Sequence, residues 1–108
     1  MVDEAKNKGW QTAILSNVIE PTYNVLEGAG FYDKFDVVIA SCKEGFVKPE
    51  IEIYQLALER LGVIPEESVF VDDKQANLNP AIEMGFEVIL AENPEQIIRD
   101  VKEVLSRT

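Results

Sequence analysis

Short apolar runs alternate with amphipathic stretches along the chain, and this alternation limits the possible folds more than any other feature. Four runs rich in β-branched residues predict strands over residues 12–15, 36–40, 69–71 and 87–90. Their apolar residues are nearly continuous rather than alternating, which is typical of strands buried on both faces of a parallel sheet.

Helical patterns lie before the first strand and after each strand. They predict helices over residues 2–8, 21–29, 51–61, 77–84 and 94–105. Pro21 stands where a helix begins, and Gly62 stands where one ends. One helix followed by four strand–helix units predicts an α/β fold with a parallel sheet and right-handed crossovers. The only loop long enough to suspect of function is the segment 41–50.

Length and charge exclude several classes of protein. The 108 residues predict one domain, spanning 1–108, and no apolar run approaches the roughly 18 residues that span a bilayer. The formal charge of −10 argues against partners such as nucleic acid or an anionic membrane. The chain has no histidine, which excludes Ser-His and Cys-His catalysis. The single cysteine, Cys42, allows no internal disulfide, so we expect a reducing, cytoplasmic location.

Polar side chains follow three of the predicted strands, at the point where each strand ends. Ser16 and Asn17 follow the first strand, Lys48 lies in the loop after the second, and Asp72 and Asp73 follow the third. Ligands of parallel sheets bind beyond the carboxyl ends of the strands. We therefore expect these five side chains to converge on one rim of the molecule.

Such a set suits a magnesium-bound phosphate. Mg²⁺ takes one or two carboxylates together with water and phosphate oxygens, and lysine acts on phosphate as a point charge. Each residue also has a purely structural interpretation. Ser16 or Asn17 could cap a turn or helix, Lys48 could be a solvated loop residue, and the two acids could simply precede a helix N-terminus. The adjacent carboxylates, Asp72 and Asp73, favour a cation most, because neighbouring like charges are unfavourable without one.

Three segments resemble motifs of the haloacid dehalogenase superfamily. They are ILSN at 14–17, GFVKPEIEIY at 45–54 and VFVDDKQANL at 69–78. The chain is most similar to phosphatase-like members related to the N-terminal domain of soluble epoxide hydrolases. The resemblance implies a Rossmann-like α/β sandwich and a Mg²⁺-dependent phosphatase that acts on a phosphorylated small molecule.

The resemblance also implies a role for each candidate residue. Ser16 would bind the transferring phosphoryl group, with Asn17 beside it. Lys48 would neutralise the nucleophile and the phosphoryl oxygens. Asp73 would be a Mg²⁺ ligand, and Asp72 would be the accompanying acid in the same site. Lys48 and Asp72 are thus the expected catalytic residues of this chain.

One motif of that superfamily is missing, and so is its cap module. No Asp-x-Asp pair, which would supply the nucleophile and the general acid/base, occurs anywhere in the sequence. The strand that would carry it sits centrally in the family sheet. Either the flanking strands pair directly, giving a sheet of about four strands in the order 2-1-3-4, or a homodimer or a second chain fills the gap.

Two functional hypotheses follow from this departure. The first is an incomplete phosphohydrolase core, truncated or split, with little or no activity alone. The second is a non-catalytic module of the same fold that binds Mg²⁺, phosphate or a partner. A response-regulator receiver domain fits poorly, because its acidic pair follows the first strand, whereas here the acids of residues 72–73 come last.

Overall fold

The strands pair as two short parallel ladders. In the computed structural model, which describes residues 2–107, β1 (Ala13–Ser16) pairs with β2 (Val37–Ala40). In the same way, β3 (Val69–Asp72) pairs with β4 (Glu87–Leu90). The predicted α/β class and the parallel pairing are therefore confirmed, as are all four strands to within a residue at each end.

Helices follow every strand. They are α1 (Val2–Asn7), α2 (Glu20–Gly28), α3 (Ser41–Glu44), α4 (Ile51–Leu61), α5 (Gln75–Met84) and α6 (Pro94–Leu105), with a 3₁₀ turn at Pro65–Glu67. Gly62 ends α4 with a left-handed backbone (φ 69°), as its position predicts. The helix α3 lies in a segment predicted as loop, because four residues are too few to show a helical period. Every helix between residues 2 and 107 is too short or too polar to span a bilayer.

The core lies between the two ladders and the helices α4 and α5. Ile39 of β2 and Ile53 and Tyr54 of α4 are fully buried, and they pack with Ala81 of α5. The Tyr54 ring also meets Phe70 of β3 edge to face, with ring centroids 5.5 Å apart. One cluster thus joins both halves of the molecule.

The four strands do not form one sheet of order 2-1-3-4. Within residues 2–107, no ladder joins β1 to β3, and the strands form two sheets of two strands each. A cavity of about 770 Å³, lined by both of these strands and by α4, lies between them. Direct pairing would need the strands about 4.8 Å apart. In the structure the two ladders are joined by side-chain packing instead, since α4 packs on β1 and β2 and its Tyr54 ring meets Phe70 of β3.

Candidate functional site

A second cavity, of about 420 Å³, opens at the carboxyl ends of β1 and β3. All five residues proposed from the sequence lie around it. Its polar lining consists of Ser16, Asn17, Lys48, Asp72, Asp73, Lys74 and Asn77. The chain therefore brings together a hydroxyl, two amides, two ammonium groups and two carboxylates from segments far apart in sequence.

A buried ion pair forms the floor of this site. Lys48 Nζ lies 2.7 Å from Asp72 Oδ2, and the two side chains are only 12% and 5% exposed. The other carboxylate oxygen, Oδ1, accepts the backbone N–H of Lys74 at 2.9 Å. The side-chain amide of Asn77 lies 3.4 Å from both oxygens. The carboxylate is thus held by a cation and by two neutral donors.

These contacts determine the charge state of Asp72. Burial by itself would raise the pKa of this carboxyl group, because it disfavours the charged form. The hydrogen bonds from Lys48 and from the Lys74 amide outweigh that effect, so the pKa of Asp72 lies below its ordinary value. Asp72 is therefore a carboxylate at neutral pH, and it lies against the Lys48 side chain.

Asn77 is a site residue that the sequence reasoning missed. It lies in the first half of α5, where its side chain is buried with only 7% of the residue exposed. The available signal was an asparagine four residues after Asp73, on the helix that follows the two acids. A buried polar side chain in that place needs a partner, and here the partner is Asp72.

Asn17 holds the backbone of Lys48 in place. Its Oδ1 accepts the Lys48 N–H at 2.8 Å, and its Nδ2 donates to the Lys48 carbonyl at 3.0 Å. A second link runs from Ser41, whose Oγ accepts the Val18 N–H at 2.9 Å and donates to the Val18 carbonyl at 3.2 Å. The loop after β1 is thus tied to the segment after β2. Binding of phosphate by Asn17 stays a prediction, and its observed contacts are those of a positioning residue.

Ser16 and Asp73 present unengaged polar groups to the cavity. Ser16 is half-buried, whereas Asp73 is exposed. Among the contacts of residues 2–107, neither the Ser16 hydroxyl nor the Asp73 carboxylate has a hydrogen-bond or ion-pair partner. Both groups are therefore available to a ligand in the cavity, where the oxygens of Asp72 are already engaged.

The donor set fits Mg²⁺ better than a metal that requires a complete protein cage. Nowhere in the described chain do three or more His, Cys, Asp or Glu side chains form a cluster able to hold a metal ion. Mg²⁺ needs only one or two carboxylates, because it retains water and takes phosphate oxygens. Asp73 supplies one such carboxylate at the cavity.

Comparison with known proteins identifies the family of the chain. A family model described as haloacid dehalogenase-like hydrolase matches residues 1–85. The chain is 36% identical over 110 residues to mouse bifunctional epoxide hydrolase 2, covering 92% of this chain and 19% of that protein. It is 39% identical over 72 residues to a glyceraldehyde 3-phosphate phosphatase of Methanothermobacter thermautotrophicus, covering 66% and 32% respectively.

A solved structure shows the same fold. A predicted HAD-like family hydrolase from Porphyromonas gingivalis superposes with a TM-score of 0.86 at 28% identity, covering 96% of this chain and 54% of that one. The chain thus spans about half of that structure and a third or less of the two curated relatives. Because the family model matches most of its length, the chain belongs to the haloacid dehalogenase-like hydrolases.

Proposed function

We propose that this chain carries the phosphate- and Mg²⁺-binding part of a phosphatase that hydrolyses phosphate esters of small molecules. The observation that carries the proposal is the buried Lys48–Asp72 pair, 2.7 Å apart, in a cavity where Ser16 and Asp73 remain free. A buried ammonium beside a free hydroxyl suits an anion, and a free carboxylate beside them suits a cation. The phosphatase among the relatives supports the reaction class.

Each residue has a defined part in this proposal. The Ser16 hydroxyl donates to a phosphate oxygen, and Lys48 neutralises the phosphate charge from the floor of the cavity. Asp73 holds Mg²⁺, with Asp72 as the second acid. The metal would supply charge neutralisation at the phosphate. Asn17 holds the Lys48 backbone in position beside the cavity through two hydrogen bonds.

We further propose that the chain alone hydrolyses phosphate esters very slowly or not at all. A nucleophilic carboxylate must be free to approach phosphorus. Asp72 is immobilised by three donors, and use of Asp73 as the nucleophile would remove the metal ligand. The cavity therefore binds phosphate and orients it, while the attacking group comes from elsewhere in the working enzyme.

Binding of inorganic phosphate in the presence of Mg²⁺ tests the proposal directly. We expect calorimetry to detect Mg²⁺-dependent phosphate binding that Asp73→Asn weakens at least about tenfold, or about 1.4 kcal/mol, because the variant loses the carboxylate charge proposed to hold the cation. The matched control is Asp33→Asn, which removes the same charge from an exposed acid outside the cavity. Equal weakening by both variants, or binding that is indifferent to Mg²⁺, would contradict the proposal.

A parallel assay of phosphate-ester hydrolysis separates the two parts of the proposal. Rates at the uncatalysed background are expected for the isolated chain. Turnover that Asp73→Asn abolishes would show that the chain is competent without an external nucleophile. Phosphate binding without turnover, even when the rest of a full-length relative is present, would favour the non-catalytic binding module instead.

A further inference from the structure

The side chain of Lys74, at the candidate site, has no partner in the part of the chain that the structure describes. Among residues 2–107, every lysine and arginine side chain except those of Lys74 and Lys102 forms an ion pair or a hydrogen bond. Lys102 is an exposed residue of α6, whereas Lys74 lines the cavity of the candidate site. The sequence has twice as many acids as bases, so an unpaired ammonium group at a cavity is unusual here.

The backbone of Lys74 is held in place although its side chain is not. Its N–H donates to Asp72 Oδ1 at 2.9 Å, and its carbonyl accepts the N–H of Asn77 at 3.0 Å in the first turn of α5. The flexible four-carbon stem of the lysine therefore moves its ammonium group about a fixed point beside the cavity. Lys48 differs in this respect, because its ammonium group is bound to Asp72 at 2.7 Å.

Exposure to solvent orders the polar residues of the cavity from its floor to its mouth. The side chains of Lys48 and Asp72, at the floor, are 12% and 5% exposed. Ser16 is half-buried, and Asp73 and Lys74 are exposed at the mouth. A phosphate bound by Ser16 and Lys48, as proposed above, lies towards the floor, and the group to which it is esterified extends towards the mouth. Lys74 is therefore placed to contact the leaving group of the ester.

The charges around Lys74 favour an anionic leaving group. Asp73 is the acid at the mouth of the cavity, and the proposed function assigns its charge to Mg²⁺. The helix α5 begins at Gln75 and has no acidic residue in its first turn, so the positive end of the helix adds to the charge of the lysine. A neutral leaving group would gain no ion pair from this arrangement, whereas a carboxylate or a second phosphate would.

We propose that Lys74 selects phosphate esters that carry a second anionic group on the part of the molecule that leaves. This inference rests on the proposed function and specifies its substrate class. Three ligands with one carbon chain test it: the phosphate ester of hydroxypropionate, the phosphate monoester of propanediol, and the bisphosphate of the same diol. The first carries a carboxylate where the second carries a neutral hydroxyl. The third carries a second phosphate there, so the series also shows which anion is preferred.

Binding to the full chain is measured by calorimetry with Mg²⁺ at low ionic strength. We expect an anionic ligand to bind about threefold to fivefold more tightly than the neutral ester, which is the range for one exposed ion pair. Salt at about 1 M should abolish this preference, because it reduces the screening length to about 3 Å. Lys74→Met should also abolish it, and Lys74→Arg should retain it. The matched control is Lys102→Met, which removes the same charge from α6 and should leave the preference unchanged.

The outcomes distinguish this inference from the proposed function. Absence of Mg²⁺-dependent binding of inorganic phosphate would contradict the proposed function, and the inference with it. Binding of inorganic phosphate together with equal affinities for the three esters would overturn the inference alone. So would a preference that persists in Lys74→Met or that Lys102→Met also abolishes. If Lys74→Met weakens inorganic phosphate and all three esters by the same factor, the lysine acts on the phosphate itself, and the inference is again wrong.

Discussion

Replacement of Lys48 by methionine tests the floor of the candidate site. The substitution keeps most of the side-chain length and removes only the ammonium group. The pair that it breaks is buried, with side chains 12% and 5% exposed, and its atoms are 2.7 Å apart. Every other ion pair of residues 2–107 has at least one side chain more than a third exposed, and such pairs are worth about 0–1 kcal/mol.

The expected cost follows from what Asp72 retains. Removal of one partner from a buried ion pair typically costs about 3–5 kcal/mol, because the other charge stays buried without compensation. Here the Lys74 amide and Asn77 still bind the carboxylate, so the cost should lie lower, at about 2–3 kcal/mol. Asp72→Asn should cost about 1–2 kcal/mol, since its amide oxygen still accepts a hydrogen bond. The double variant should cost less than the sum of the two by about 1–2 kcal/mol.

Urea unfolding of the parent, the two single variants and the double variant at pH 7 measures these costs. The comparison requires that the slope of the unfolding free energy against urea concentration be the same in all four proteins. In Lys48→Met, the pKa of Asp72, followed by carboxyl NMR, should rise, because burial is no longer opposed by the ammonium group. Single-variant costs that add within about 0.5 kcal/mol would show that the two side chains do not interact, and would refute the reasoning.

Three further predictions concern other parts of the chain. Ile53→Ala should lower the free energy of unfolding by about 3–4 kcal/mol, because Ile53 is fully buried. Ile51→Ala on the same helix should change it by less than about 0.5 kcal/mol, because Ile51 is 46% exposed; similar costs in urea unfolding would contradict the assigned core. Asn17→Ala removes two hydrogen bonds to an exposed loop, so we expect a loss of about 1 kcal/mol and faster amide exchange in that loop; unchanged exchange would exclude the positioning role. The hydrogen bonds from Arg60 outweigh burial and hold the pKa of Glu44 below its ordinary value. Their stabilisation of about 0.5–1 kcal/mol is present above the ordinary pKa of a glutamate and is lost as the pH falls through the lower folded-state pKa, so Glu44→Gln should be less stable than the parent at pH 7 but not in strong acid.

The sequence predicted the elements of this fold well, because its local signals are strong. The helices at Ile51–Leu61 and Pro94–Leu105 and the strand at Glu87–Leu90 have the predicted bounds. Their periodicity and their terminal Gly and Pro residues are local properties that need no tertiary context. The helix Ser41–Glu44 and the turn Pro65–Glu67 were missed, because elements of three or four residues carry no period.

The arrangement of the strands was harder to predict than the strands themselves. Periodicity within a segment does not report whether β1 pairs with β3, because that pairing depends on how the two ladders pack in three dimensions, here through the Tyr54 and Phe70 rings. The candidate site was also only partly predictable. Its residues could be predicted because they follow the carboxyl ends of strands. The hydrogen bonds of Asn17 with the Lys48 backbone could not, because they depend on how two loops distant in sequence meet.

The buried tyrosine of α4 has a consequence for how the molecule unfolds. Tyr54 belongs to a helix packed on β1 and β2, and its hydroxyl donates to the carbonyl of Asn77 on the helix packed on β3 and β4. Neither half can open without exposing that ring and breaking that bond, although no strand ladder joins the halves within residues 2–107. Cooperative unfolding of this chain therefore depends on side-chain packing between the two ladders. We expect both ladders to unfold in a single transition.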